Sequence, residues 1–138
     1  MVNKLAGNRF EAELCDILAA NGFWAHNMAQ NHAGQPADVI AVRNGHAVLI
    51  DCKLCQGKFF SFARAEPNQE SAMELWKACG NGGGWFAVKG PDGEIRMISY
   101  PHIQSLQEQG FHSSLLNANI RLTDWLERWS LSEARHAD

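Results

Sequence analysis

Residues 35–53, QPADVIAVRNGHAVLIDCK, decide the fold. Two apolar, β-prone runs, 37–43 and 46–53, flank Asn44-Gly45. That dipeptide between such runs predicts a two-residue hairpin, because a type I′ turn needs positive φ at both central positions. A hairpin closing symmetrically on Asn44-Gly45 pairs Arg43 with His46 and Val42 with Ala47. Continued outward, the same register sets Asp38 opposite Asp51. Alternation puts Asp38 on one face with Ile40 and Val42, and Asp51 with Leu49 and Lys53. Like charges facing each other across strands are destabilising, and the acids interrupt strands otherwise as apolar as those of a buried sheet. Buried charges require a partner. A divalent metal held by Asp38 and Asp51, with Lys53 beside it, meets that requirement better than a surface lysine neutralising two exposed acids.

The bounds from composition are ordinary. A chain of 138 residues, 46% hydrophobic and 20% charged, fits one domain with a single core. The expected core covers residues 4–100, with a helical addition over 101–138. No apolar run is long enough for a membrane span and the first residues show no signal-like apolar stretch, so a cytoplasmic protein is expected. The net charge of −3 argues against a strongly basic nucleic-acid binder. Its distribution is uneven: residues 1–64 hold Lys4, Arg9, Arg43, Lys53, Lys58 and Arg64 against Glu11, Glu13, Asp16, Asp38 and Asp51. Three of those acids are candidate metal ligands, so a metal-loaded N-terminal half is electropositive. Cys52-x-x-Cys55 has no second ligand pair to complete a zinc site. Cys15, Cys52 and Cys79 read as small buried hydrophobes.

Around the hairpin the chain alternates helix and strand. Phe10, Leu14, Ile17 and Leu18 form a stripe that predicts a helix over 4–20, stopped by Asn21-Gly22. Glu11 sits at the edge of this stripe, either at the solvent rim or looking toward the sheet. A strand over 23–29 leads into the polar loop 30–36. Phe59, Phe60 and Phe62 follow the hairpin and read as core lids. Pro67 opens a helix to about Cys79. Its stripe starts with Gln69, which either caps the helix or reaches the charged end of the hairpin. Strands over 85–89 and 94–100 flank the turn Pro91-Asp92-Gly93. A short helix from Pro101, an ambiguous stretch 111–121 and a helix over 123–135 complete the chain. Trp125 and Trp129, one turn apart, read as packing anchors or a dimer surface. The order helix, strand, strand, strand, helix, strand gives an α/β fold with a central mixed sheet.

An acid followed about a dozen residues later by acid-x-Lys, in an αβββαβ order, resembles the PD-(D/E)xK nuclease superfamily with its restriction-endonuclease-like core. Gly7-x-x-Phe10-Glu11, Asn21-Gly22-Phe23, Pro36-Ala37-Asp38 and Asp51-Cys52-Lys53 narrow the likeness to archaeal Holliday-junction resolvases. Pro67-Asn68-Gln69 and Gly83-Gly84-Trp85-Phe86 are similar to bacterial RecU-type resolvases. The resemblance covers residues 7 to about 100. It implies a homodimeric, metal-dependent endonuclease on branched DNA. Glu11, Asp38 and Asp51 would be the carboxylates at the metal, with the Cys52 backbone carbonyl as a further ligand. Lys53 would stand near the attacking water, with Gln69 as an accessory residue. Departures are Pro36-Ala37-Asp38 for an adjacent Pro-Asp, Asp51 for the usual Glu, and no basic stalk between Arg43 and His46.

Hydrolysis of a phosphodiester needs an activated water, a sink for transition-state charge and help for the leaving oxygen. Mg²⁺ on hard carboxylate oxygens supplies all three, and Mn²⁺ is expected to substitute. Arg9, His32, Lys58 and Arg64 are the candidate DNA contacts. Two other readings stay open: a restriction-like nuclease on linear or flapped DNA, and a catalytically idle DNA-binding protein that keeps the fold.

Overall fold

The structure, a computed structural model, describes residues 2–28 and 37–135, with side chains at 5–28 and 37–130. In chain order the elements are α1 (Val2–Ala20), β1 (Trp24–Asn27), β2 (Val39–Arg43), β3 (His46–Leu54), β4 (Phe59–Ser61), α2 (Pro67–Ala78), β5 (Trp85–Lys89), β6 (Ile95–Ser99), α3 (Tyr100–Glu108), β7 (Ser113–Leu115), β8 (Ile120–Arg121) and α4 (Leu122–Arg135). The expected αβββαβ order is present, with the short β4 inserted before α2. A six-stranded sheet runs β1-β2-β3-β5-β6-β8, and β4 pairs with β7 in a separate ribbon. Only the β3–β5 pair is parallel within the six-stranded sheet, with α2 in the connection between its strands. No described helix is long and apolar enough to cross a membrane.

The hairpin forms in the expected register. Arg43 pairs with His46 and Val39 with Ile50, and Asn44 and Gly45 take φ of 48° and 79°. Asp38 N donates to Ile50 O at 3.2 Å, so the pairing runs on to the level of Asp51. Helix α1 ends as its sequence dictates. Gly22 has φ 86°, Asn21 Nδ2 donates back to Ile17 O at 2.7 Å, and Arg43 Nη1 donates to Asn21 O at 2.7 Å.

The sheet has an apolar layer on each face. On one lie Phe10, Leu14 and Leu18 of α1 with Val39, Ala41, Val48, Ile50 and Ala87, joined by Leu122, Trp125 and Leu126 of α4. On the other lie Leu49, Phe86, Val88 and Ile98 with Met73, Tyr100, Ile103, Phe60 and Phe62. Full burial of one such side chain contributes about 1.5–3 kcal/mol. The two layers clamp β3 on both sides, which is why an acid in its middle finds no water.

Several expectations change here. The C-terminal addition is not purely helical, since β8 extends the central sheet and Trp125 belongs to its core. Trp125 is 4% exposed; it stacks on Phe23 at 6.1 Å and meets Trp85 edge-on at 5.7 Å. These tryptophans serve the chain's own core, because the edge strand β8 brings α4 down onto the sheet. Phe60 and Phe62 are buried as lids, but Phe59 is turned out to solvent by strand alternation. Cys79 is exposed and Cys15 and Cys52 only half-buried, whereas Cys55 is the buried thiol. Cys79 stands at the C-cap of α2, past the helix's last packed turn.

Gly84 fixes the height of α2 over the sheet. A Cβ there would overlap Met73 Cγ and come within 2.6 Å of Met73 Sδ. Gly84→Ala is therefore expected to cost about 1–3 kcal/mol through overpacking, read as a lowered midpoint in urea unfolding with an unchanged slope.

Candidate active site

Four elements meet at the C-terminal end of β3. Asp38 lies just before β2 and Asp51 and Lys53 on β3; α1 brings Glu11, and α2, with Gln69 on its first turn, brings its N-cap Glu66 to the groove beside Lys53. Glu11, Asp38 and Gln69 are each 8% exposed and Asp51 is 0% exposed. These are the four buried polar or charged side chains among the described residues, and all four were candidates on sequence grounds. Glu11 thus turns toward the sheet and away from the rim.

Asp51 defines the site's electrostatics. Lys53 Nζ lies 3.2 Å from its Oδ2, and both side chains are largely shielded from water. This ion pair supplies charge but no aligned donor: neither Asp51 oxygen has a hydrogen-bond partner among the described residues. Burial, then the Asp38 carboxylate facing it, pushes the Asp51 carboxyl up to about 8, against the lowering pull of Lys53. Burial, then Asp38, likewise pushes Glu11 up to about 7. Asp38 accepts from Cys52 N at 2.8 Å through Oδ2. It is the acid to which both others couple.

The donor set suits a hard cation. A fully buried carboxylate facing a second one costs free energy that a divalent ion would remove. The arrangement is not a closed cage, since no three His, Cys, Asp or Glu side chains among the described residues are gathered closely enough to enclose a metal. Mg²⁺ does not require one. It is commonly held by one or two carboxylates and keeps waters and substrate phosphate for its remaining positions.

Gln69 has a capping role. Its Oε1 accepts from Glu66 N at 3.1 Å, and the two residues form a reciprocal capping box at the start of α2. The side chain is nonetheless buried, on the turn of α2 before Met73.

The candidate DNA contacts divide. Arg64 donates through Nη1 to Leu54 O and lies over the Phe60 ring. With Gly7, Cys52, Lys53, Gln56 and Glu66 it lines an open groove of about 610 Å³ beside the acids. Arg9 lines a second hollow of about 300 Å³ that shares Leu54 and Gln56 with the first. Lys58 is exposed but lines neither, and His32 lies outside the described residues. One cation was missed. Lys89 lines the second hollow, 2.8 Å from Glu13 and above the Phe10 ring. Its signal was available, because the strand WFAVK ends in lysine beside the one that carries Asp51-x-Lys53. Four of the chain's twelve lysines and arginines, Arg9, Lys53, Arg64 and Lys89, thus stand around the end of β3.

A mixed sheet that brings a helix glutamate, two facing strand acids and a strand lysine to one end of its central hairpin defines a restriction-endonuclease-like fold. Residues 2–133 match the family of archaeal Holliday junction resolvases (Hjc), and the chain belongs to that family. Among solved structures it is similar to the Hjc Holliday junction resolvase of the archaeal hyperthermophile Archaeoglobus fulgidus. That likeness has a TM-score of 0.66 at 18% identity and covers 87% of this chain and 99% of the other. At that identity it speaks for the fold. No curated protein matches the chain.

Proposed function

We propose that this chain is a divalent-metal-dependent endonuclease that resolves four-way DNA junctions by phosphodiester hydrolysis. The observation that carries the reading is Asp51: a fully buried carboxylate, ion-paired with Lys53 at 3.2 Å and facing Asp38, in a chain of the resolvase family. Asp38 and Asp51 would hold Mg²⁺ or Mn²⁺, with the Cys52 carbonyl as a further ligand and Glu11 as the third carboxylate beside them. The metal, when bound, lowers the pKa of a water and withdraws charge from the phosphate.

The chain's own residues do the rest. Lys53, tied to Asp51 at 3.2 Å, presents its ammonium where negative charge grows on the phosphate, and its fixed position avoids reorganisation during the reaction. Gln69 fixes the start of α2, whose N-cap Glu66 lines the groove beside Lys53. Arg64 and Arg9 line the grooves on either side of Leu54 and Gln56 and would take phosphates flanking the cut. A junction needs opposed nicks in two strands, and one chain carries one site. A two-fold homodimer matches the junction's own symmetry.

The test is cleavage of labelled four-way junction and of matched linear duplex, each with and without Mg²⁺ or Mn²⁺. The expected result is metal-dependent, symmetry-related nicks in opposed strands of the junction, with linear duplex left intact. Equal cutting of linear duplex would replace the resolvase by a restriction-like nuclease. No cutting with either metal would leave a DNA-binding protein that keeps the fold.

A further inference from the structure

The face of the sheet that carries the acid pair does not end with it. Register places three rows on that face. Trp24 pairs with Val42, which pairs with Ala47; His26 pairs with Ile40, which pairs with Leu49; Asp38 and Asp51 form the next row. Met28 N donates to Asp38 O at 2.8 Å, so β1 leads directly into the acid row. Over β3, β5 and β6 this face is covered by α2 and α3 through Met73, Tyr100 and Ile103. At β1 it is open. Trp24 is 62% exposed, His26 is exposed, and their rings lie nearly parallel, 10° apart with centroids at 5.8 Å.

One exposed tryptophan is unremarkable by itself. This one has a parallel aromatic neighbour and stands in line with the acid pair. Rows repeat about every 7 Å along a strand, so Trp24 lies roughly 13 Å from the acid row. That is about four nucleotides of a stacked strand. A paired base keeps its faces within the duplex, whereas an unpaired base at a branch point has one to offer. Exposed aromatic planes beside a nucleic-acid groove bind such bases by stacking, with little regard to sequence.

We infer that Trp24, backed by His26, is a stacking platform for a base unstacked or unpaired near the point where strands exchange, on the DNA strand held at the acid pair, and that it makes the site favour DNA offering such a base. The inference rests on the nuclease reading for its substrate, but its test does not use cleavage. The full-length protein, in EDTA, is titrated with short oligothymidylate and with fully paired duplex, by anisotropy of labelled DNA. Trp24→Ala should weaken oligothymidylate binding about tenfold, within the range of one base–aromatic stack. It should leave duplex binding unchanged, and Trp24→Phe should retain most of the affinity. The platform is overturned by equal oligothymidylate binding in wild type and Trp24→Ala. It is overturned too by an equal loss on paired duplex, which would make Trp24 a backbone contact, or by wild type that does not bind oligothymidylate. A changed sedimentation mass in Trp24→Ala would make β1 a protein–protein edge and also overturn it. A protein that binds oligothymidylate through Trp24 yet cuts no junction sinks the resolvase reading alone; junction cutting with unaltered Trp24→Ala binding sinks the platform alone.

Discussion

Asp51→Asn is expected to abolish metal-dependent cleavage and, in the same protein, to raise the thermal stability of the metal-free fold. Residues that only support metal ligands lower activity about 10–100-fold when changed, so loss of a ligand should exceed about 100-fold. The stability effect follows from linkage. Asp51 has an ordinary carboxyl pKa of 3.8 and is pushed up to about 8 in the fold. A raised carboxyl favours folding fully only below its unfolded pKa. Its contribution falls as pH rises from about 4 and is lost once pH passes about 8. Asparagine keeps the shape and never charges. Near pH 8, Asp51→Asn should melt on the order of 5–10 °C higher than wild type in EDTA. The gap should close toward pH 4. Because Glu11 is also raised, to about 7, some pH dependence should survive in the variant. Cleavage by Asp51→Asn at the wild-type rate would refute the site assignment.

Lys53→Ala separates charge stabilisation from metal binding. An ammonium is not a ligand, so calorimetric titration with Mn²⁺ should still show binding. Cleavage should fall about 10²–10³-fold, the usual loss when one fixed transition-state donor is removed. The change also withdraws the partner that lies 3.2 Å from a buried carboxylate, which makes Asp51 harder to charge without metal. The metal-free variant should thus take up Mn²⁺ with a steeper pH dependence than wild type. Loss of Mn²⁺ binding in a protein that still shows a cooperative melt would mean that Lys53 builds the site and does not act in the reaction.

Local chemistry alone makes the hairpin and its acid pair legible in the sequence. Asn44-Gly45 fixes a two-residue turn, period-two alternation fixes the faces, and a turn of known length fixes the register, so Asp38 has to meet Asp51. Phe10, Leu14 and Leu18 likewise declare the buried side of α1. Quantities that depend on distant elements are not written in any local stretch. Whether Glu11 faces water or the sheet depends on how α1 crosses the hairpin. The role of Gln69 depends on Glu66 adopting the N-cap geometry that lets the two side chains reciprocate. Trp125 is ambiguous between core and interface until β8, a two-residue strand with no pattern of its own, carries α4 against the sheet. The absolute burial of Asp51 is also tertiary. An alternating strand shows which face a carboxylate takes, but only helices packed on both sides of β3 remove the water that would have solvated it, and that removal gives the acid pair its demand for a cation.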